Sequence, residues 1–244
     1  MLLYHGTSER VARKALTEGL WPRALSRAPS LWERTVPSNS QLVYLTASYP
    51  GYFAANAAEE GEKWAIIEVD TDLLDEDDLR PDEDAMEQGS RELGETGFEE
   101  LDALPLGAMK ERTLWFRDNI ELFRHLWEKS LEMLGTVGYC GVISPEAITR
   151  VGIYDPKSSP GVSMAVIDTM VCLMNHRFLF ERHQRMVAVL MGDSTDPGAL
   201  LMHPSMREVM GEEAFSRVRK SVEAVRVEVL INTQPPAAGS CGTT

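Results

Sequence analysis

The amino-acid sequence predicts an α+β fold, with a split antiparallel β-sheet in the N-terminal part and a mainly helical extension after it. Short apolar runs typical of strands recur between stretches in which apolar residues have helical spacing. None of these strand candidates leads into the glycine-rich phosphate loop of a parallel nucleotide-binding sheet. The 244 residues are 43% hydrophobic and 25% charged, a composition that supports a buried core. We expect a sheet-containing domain at residues 1–157, the helical extension at 158–233 and a disordered tail at 234–244.

The elements of the N-terminal half follow from apolar spacing and from the residues that begin and end helices. Ser8 is a typical N-cap residue and Gly19 suits the left-handed position after a helix, so 8–18 is predicted to be helical. The other predicted elements are strands at Leu2–Tyr4, Leu42–Thr46 and Trp64–Asp70, and a helix at Gly51–Glu60. The acidic stretch Asp75–Leu104 is predicted to be mainly loop with a short helix.

The C-terminal half alternates long helical patterns with short strands. The predicted elements are a helix or helix pair at Leu114–Leu134, strands at Val142–Ile143, Ile148–Tyr154 and Val225–Ile231, and helices at Val162–Met191 and Pro204–Val222. The helix at Val162–Met191 carries many large apolar residues. We therefore expect it to pack on the domain or on a second copy of the chain, as the interface of a homodimer.

Charge, cysteine content and the lengths of the apolar runs limit the partners, metal sites and location that the sequence predicts. The net charge of −14 is concentrated between Glu59 and Asp102, a range that contains 19 acids and three bases. The rest of the chain therefore does not repel polyanions. The three cysteines have no zinc-ligand spacing, which indicates no metal site and favours a reducing, cytoplasmic location. No apolar run approaches the roughly 20 residues of a membrane span, so we expect no membrane partner.

One N-terminal constellation suits the binding of a flat ligand. The common nucleotide, serine-hydrolase and zincin motifs are absent. Instead, His5 is followed by Gly6, which lets a ligand approach the backbone, and by Thr7-Ser8 at the start of a helix. Tyr44 lies on another predicted strand, where its ring could stack on the same ligand.

These segments, together with Gly19-Leu20, the WAIIEVD strand and GVISPEAI, resemble the NAD-binding signature of the ADP-ribosyltransferase superfamily. The similar branch has a His–Tyr–acid triad and includes diphtheria-type toxins and poly-ADP-ribose polymerases. The resemblance covers roughly residues 2–155. It implies a transferase that uses NAD as substrate and passes ADP-ribose to an acceptor, which could be a protein, a nucleic acid or a small molecule.

The same resemblance implies roles for individual residues. His5 would bond the adenosine ribose, the Gly6 backbone would hold the nicotinamide carboxamide, and Thr7 would support the same corner. Tyr44 would stack on the nicotinamide. Tyr52 is expected on the opposite face of that ring, with Tyr49 as its rival.

The acid of the triad is missing from its expected place. Cleavage of the nicotinamide–ribose bond passes through an oxocarbenium-like state, which a carboxylate stabilises. In the family this acid begins a strand, and Tyr139-Cys140 stands there in this chain. We expect Glu83, within Asp82-Glu83-Asp84, to take the role because its longer side chain reaches further from a loop. Glu146 is the alternative.

Two other functions fit the same pattern. Without the expected acid, the chain could be a catalytically silent module that binds NAD, ADP-ribose or a partner protein. RNA 2′-phosphotransferases are similar at the His-Gly-Thr corner and the later Gly-Leu. However, they have a histidine where this chain has Tyr44, and an additional N-terminal lobe.

Overall fold

The computed structural model describes residues 1–26, 36–47, 50–155, 157, 212–213, 216 and 227–232. The strands are β1 (Leu2–Ser8), β2 (Leu42–Thr46), β3 (Trp64–Asp70), β4 (Leu79–Pro81), β5 (Thr136–Cys140), β6 (Ile148–Tyr154) and β7 (Val227–Ile231). The α-helices are α1 (Glu9–Glu18), α2 (Arg23–Ser26), α3 (Pro50–Ala57), α4 (Glu83–Leu93), α5 (Glu99–Asp102), α6 (Met109–Asp118) and α7 (Trp127–Leu134). Short 3₁₀ helices lie at Thr71–Leu73, Glu76–Asp78, Ile120–Leu126 and Pro145–Ala147.

The chain divides into two compact units, each built from separate pieces of sequence. The first unit comprises Met1–Gly19, Ser48–Leu73 and Ser144–Thr244. The second unit comprises Leu20–Ala47 and Leu74–Ile143. The predicted helix at Val162–Met191, most of that at Pro204–Val222 and the predicted tail lie outside the described residues.

Four antiparallel strands of the first unit lie in the order β1-β3-β6-β7. Strand β1 pairs with β3 in an unbroken register from Leu2 opposite Asp70 to Ser8 opposite Trp64. It is therefore longer than the predicted Leu2–Tyr4, and His5, Gly6 and Thr7 are strand residues. The pairing of β3 with β6 shifts register at Glu68, as at a β-bulge.

Helix α1 confirms the predicted helix and its C-terminal glycine. Gly19 has a φ of 82°, and its N–H bonds to the Ala15 carbonyl. Ser8 occupies the N-cap position, but its side chain accepts no capping bond. Because Ser8 is still in register with Trp64, the strand determines its side-chain direction.

Strand β7 comes from the range predicted as the helical extension. A strand was predicted at Val225–Ile231, and the structure has one at Val227–Ile231, paired with β6 along its length. Both guanidinium-to-carboxylate contacts between Arg13 Nη2 and Glu228 measure 3.0 Å. The extension therefore supplies a strand to the sheet of the first unit.

The second unit has three antiparallel strands in the order β4-β5-β2. Its helices pack around a buried apolar cluster formed by Ala85, Met86, Leu101 and Phe116. The prediction of a mainly irregular acidic stretch at Asp75–Leu104 was wrong, because strand β4 and the eleven-residue helix α4 lie within it. Asp82 caps α4 by accepting a hydrogen bond from the Asp84 N–H, and acids in the first turn favour a helix N-terminus.

One further prediction of this region is corrected, and another is confirmed. The predicted strand at Val142–Ile143 is an isolated bridge between Ile143 and Leu20, and the true strand is β5, a few residues earlier. The predicted helix or helix pair at Leu114–Leu134 is two α-helices, α6 and α7, joined by a 3₁₀ helix. An α+β fold with antiparallel strands is nevertheless confirmed.

Candidate functional site

The second unit brings Tyr44 and Glu83 together. The Tyr44 hydroxyl lies 2.7 Å from Oε1 and 2.6 Å from Oε2 of Glu83. The backbone N–H of Asn39 donates to both residues, at 2.9 Å to Tyr44 Oη and 3.2 Å to Glu83 Oε1. Both carboxylate oxygens of Glu83 are therefore engaged.

The strand register explains how two residues distant in sequence meet. Tyr44 on β2 is opposite Gly138 on β5, and Gly138 is in turn opposite Arg80 on β4. Strand β4 ends at Pro81, and Glu83 begins helix α4 just beyond it. A Cβ at Gly138 would lie 2.6 Å from Cδ1 of Leu42, so a larger residue there would require the Leu42 side chain to shift.

Burial dominates the electrostatics of this pair. Glu83 is only 3% exposed. Burial raises the pKa of Glu83, although the hydrogen bond from Tyr44 opposes the shift. Burial and then the negative charge of Glu83 raise the pKa of the Tyr44 phenol well above its usual value. Tyr44 is therefore protonated at neutral pH and donates its hydrogen bond to Glu83.

Asp82 is a second buried acid beside this pair. Burial, followed by the charge of Glu83, raises the pKa of Asp82 to about 8. Its backbone N–H donates to Ser130 Oγ at 2.9 Å, and the Ser130 hydroxyl donates to the Thr136 carbonyl at 2.7 Å. Ser130, fully buried on α7, thus fixes the start of α4 against the start of β5.

Sequence reasoning missed both Asn39 and Ser130. Asn39 acts through its backbone N–H, which carries no residue-type signal. Its side-chain oxygen accepts a hydrogen bond from the Gln41 N–H at 3.0 Å, which shapes the turn before β2. Ser130 is a single serine in an amphipathic helical pattern, and nothing in its neighbourhood marks it as buried.

In the first unit, His5, Gly6 and Thr7 follow one another on β1. A Cβ on Gly6 would collide with backbone atoms of Pro50 and Ala54 in helix α3. The expectation that Gly6 lets a ligand approach the backbone does not hold on this side of the strand, because helix α3 occupies that space. Since side chains alternate along a strand, His5 and Thr7 point to the face of β1 opposite α3. His5 is half-buried, and Thr7 is buried.

The remaining predicted residues also belong to the first unit. Tyr52 lies on α3, the helix that covers the Gly6 face, and its ring meets the edge of Phe53 with 5.5 Å between centroids. Its rival Tyr49 lies outside the described residues. Glu146 is half-exposed in the 3₁₀ helix Pro145–Ala147, where hydrogen bonds from its own backbone and Ser144 lower its pKa.

The residues that the structure describes form neither a cluster of metal ligands nor a membrane-spanning helix. No group of three or more His, Cys, Asp or Glu in these parts of the chain could hold a metal ion. No helix found there has the length and apolar character of a membrane span. In comparisons with known proteins, no family model matches the chain and no curated protein is significantly similar to it.

Proposed function

We propose that this protein is an NAD-dependent ADP-ribosyltransferase in which Tyr44 and Glu83 act on the nicotinamide riboside portion of NAD. One observation carries the proposal. The tyrosine and the carboxylate that the sequence pattern singled out separately are joined by contacts of 2.6 and 2.7 Å. Glu83 is the first residue of α4, just beyond the end of β4, so its contact with Tyr44 depends on both elements.

The chemistry of the pair suits cleavage of the glycosidic bond of NAD. The ring of Tyr44 would stack on nicotinamide, and the Glu83 carboxylate would stabilise the positive charge that develops on the ribose. The bond between ribose C1′ and nicotinamide nitrogen breaks, and its electron pair leaves with nicotinamide. A nucleophile of the acceptor then forms a bond to C1′ and loses a proton. His5, the Gly6 backbone and Thr7 belong to the first unit, and their NAD-binding roles stay predictions from the sequence.

The burial of Glu83 sets a condition on this mechanism. Each carboxylate oxygen accepts more than one hydrogen bond, so a ribose hydroxyl can bond to Glu83 beside its present donors or in place of the Asn39 N–H, which at 3.2 Å is the longer of its contacts. Exchange of that bond would leave the bond from Tyr44 intact. The cost of the exchange is small if the hydroxyl replaces the amide directly, because no buried acceptor is then left unpaired.

The burial of Glu83 and its existing bonds from Tyr44 and Asn39 favour a second candidate, a catalytically silent module that binds NAD or ADP-ribose. In that case Glu83 serves only to hold the ring of Tyr44 and to keep its phenol protonated. The two candidates share the stacking role of Tyr44 and differ in whether Glu83 reaches the ribose.

Binding and bond cleavage, measured in parallel, test the proposal. Calorimetric titration with NAD should give binding by the wild type, similar binding by Tyr44→Phe, which keeps the ring, and none by Tyr44→Ala. Release of nicotinamide identifies the transferase. Wild-type protein that binds NAD but releases no nicotinamide with any acceptor offered supports the silent module. Absence of NAD binding by folded wild-type protein rejects both candidates.

A further inference from the structure

A cluster of four aromatic rings opens onto the surface of the second unit. Phe98, Trp115, Phe116 and Phe123 are joined by five ring-to-ring contacts, with centroid distances between 5.2 and 6.0 Å. Phe116 is 3% exposed and anchors the cluster in the core, whereas Phe98 is 37% exposed. Trp115 and Phe123 are half-buried. The cluster thus presents one side to the interior and one side to solvent.

The surroundings of these rings are strongly acidic. Seven acids and three bases lie between Glu95 and Glu121. Arg112 is fully buried, Arg117 pairs with Asp118 and Glu121 pairs with Arg80, both at 2.8 Å, which leaves five acids and Lys110. One carboxylate touches the cluster directly, because Glu100 Oε2 accepts a hydrogen bond from Trp115 Nε1 at 3.1 Å.

Exposed aliphatic side chains occur in the same stretch of sequence. Leu106, Met109 and Leu122 are each more than half exposed. Single exposed apolar residues are ordinary, but their occurrence in the segment that carries an open aromatic cluster indicates an interaction surface.

We propose that the surface formed by Phe98, Trp115, Phe123 and Glu100, here called the aromatic patch, binds a basic peptide segment in which arginine alternates with an apolar residue. An arginine guanidinium stacks on exposed ring faces and pairs with a neighbouring carboxylate such as Glu100. Apolar side chains of the same segment cover the ring edges.

Charge excludes the other occupants. Nucleic acids and anionic membranes are repelled by the acids around the patch, and a second copy of the patch carries the same charge. Opposite charge on a peptide accelerates its association and makes binding sensitive to salt. The aromatic patch shares no residue with the proposed NAD chemistry, so this inference stands independently of that function.

The test uses the full chain and a fluorescein-labelled peptide of repeating Leu-Arg-Ser-Arg sequence, followed by fluorescence anisotropy. A matched peptide has glutamate in place of every arginine. We expect the arginine peptide to bind and the glutamate peptide not to bind. Phe98→Ala and Glu100→Gln should each weaken binding about tenfold, the factor that 1.4 kcal/mol represents. Glutamine at 100 keeps an oxygen acceptor for the Trp115 N–H.

The control is Glu60→Gln, which removes the same charge from an exposed position of the first unit and should change the affinity less than about twofold. Equal weakening by Glu60→Gln and Glu100→Gln would overturn the proposal in favour of non-specific attraction. Unchanged affinity of Phe98→Ala, or equal binding of both peptides, would overturn it as well. So would a concentration-dependent dimer that Phe98→Ala abolishes, since the patch would then be a self-interface. If Phe98→Ala does not fold, Glu100→Gln alone decides.

Discussion

At the scale of single residues, the hydrogen bonds between Tyr44 and Glu83 hold a buried carboxylate in place in the second unit. A buried carboxylate costs free energy unless donors satisfy it, and here a phenol and a backbone amide do so. Ser130 adds a third constraint because it holds the residue before Glu83. The position of the carboxylate therefore depends on three elements, β2, α4 and α7, none of which is adjacent to another in sequence.

A double-mutant cycle measures the coupling between Tyr44 and Glu83. Tyr44→Phe leaves the buried carboxylate with one donor fewer and should lower the free energy of unfolding by about 1–3 kcal/mol. Glu83→Gln should lower it too, and the double variant should lose less than the sum of the two. Urea unfolding of the four proteins gives the coupling energy. Strict additivity would show that the two side chains do not support each other.

The sequence identified Tyr44 and Glu83 but not their supports. The resemblance to a family selected the tyrosine, and side-chain length selected the glutamate among the acids of its cluster. The contribution of Asn39 depends on a backbone direction, and that of Ser130 on the packing of α7 against β4 and β5. Neither property is encoded by a local pattern of side chains.

At the scale of elements, the packing of α3 on β1 explains Gly6. Gly6→Ala should fail to fold or lose several kcal/mol, because its new methyl group meets helix backbone and not a flexible side chain. Gly107→Ala is the matched control, since nothing lies within 4 Å of its Cβ position, and it should change stability by about 0.5 kcal/mol or less. Chemical denaturation of both variants makes the comparison. A stable Gly6→Ala protein would contradict the close approach of α3 to β1.

Helix α4 makes stability depend on pH through Asp82. Its pKa is about 8 in the folded protein against an ordinary value of 3.8, so between these values the folded state binds more protons than the unfolded state. The free energy of unfolding should therefore fall as pH rises from about 4 to 8, by up to about 6 kcal/mol from this group at about 1.4 kcal/mol per pKa unit, and level off above.

The variant Asp82→Asn isolates that contribution. Asparagine keeps the capping acceptor for the Asp84 N–H and cannot ionise, so the loss of stability between pH 5 and pH 8 should become smaller. Urea midpoints at the two pH values provide the measurement. Asp102→Asn, at an exposed acid whose hydrogen bonds with Thr96 lower its pKa, should not reduce that loss. If Asp82→Asn loses as much stability between pH 5 and pH 8 as the wild type, Asp82 is not a buried, protonated carboxyl group in the folded protein.

The prediction of a loop in place of α4 failed for a physical reason. A dense run of acids suggests a solvated segment, but Asp82, Glu83 and Glu87 are buried beside Ala85 and Met86. The ion pairs of Glu87 with Arg91 and Arg112 offset part of the cost of burial. The helical spacing of the apolar residues was present in the sequence, and the acids between them obscured it.

At the scale of the whole molecule, each unit is assembled from sequence segments that the other unit interrupts. Hydrophobic periodicity is a local signal, so it predicted most strands and the antiparallel α+β class but not this division. Strand β7 is an example. Its alternating pattern predicted a strand, but its partner β6 lies more than seventy residues earlier, so no local pattern could predict the pairing.

Truncation tests the contribution of β7 to the first unit. A fragment of residues 1–157 lacks β7 and leaves an edge of β6 unpaired, and unpaired strand edges promote aggregation. The fragment should therefore be insoluble, whereas removal of 234–244 alone should leave a soluble protein. Size-exclusion chromatography and circular dichroism distinguish the two. A soluble, monomeric and folded 1–157 fragment would show that the C-terminal region is an accessory unit.

The proposed transferase activity is tested most directly by nicotinamide release from NAD, compared between the wild type, Glu83→Gln and Glu146→Gln. If Glu83 stabilises the developing charge on the ribose, Glu83→Gln should bind NAD normally and lose about 100- to 1,000-fold in turnover. Glu146→Gln, at a half-exposed turn of the first unit, should match the wild type. Full activity of Glu83→Gln together with an inactive Glu146→Gln would contradict the assignment of the acid. Failure of the wild type to release nicotinamide would contradict the transferase itself.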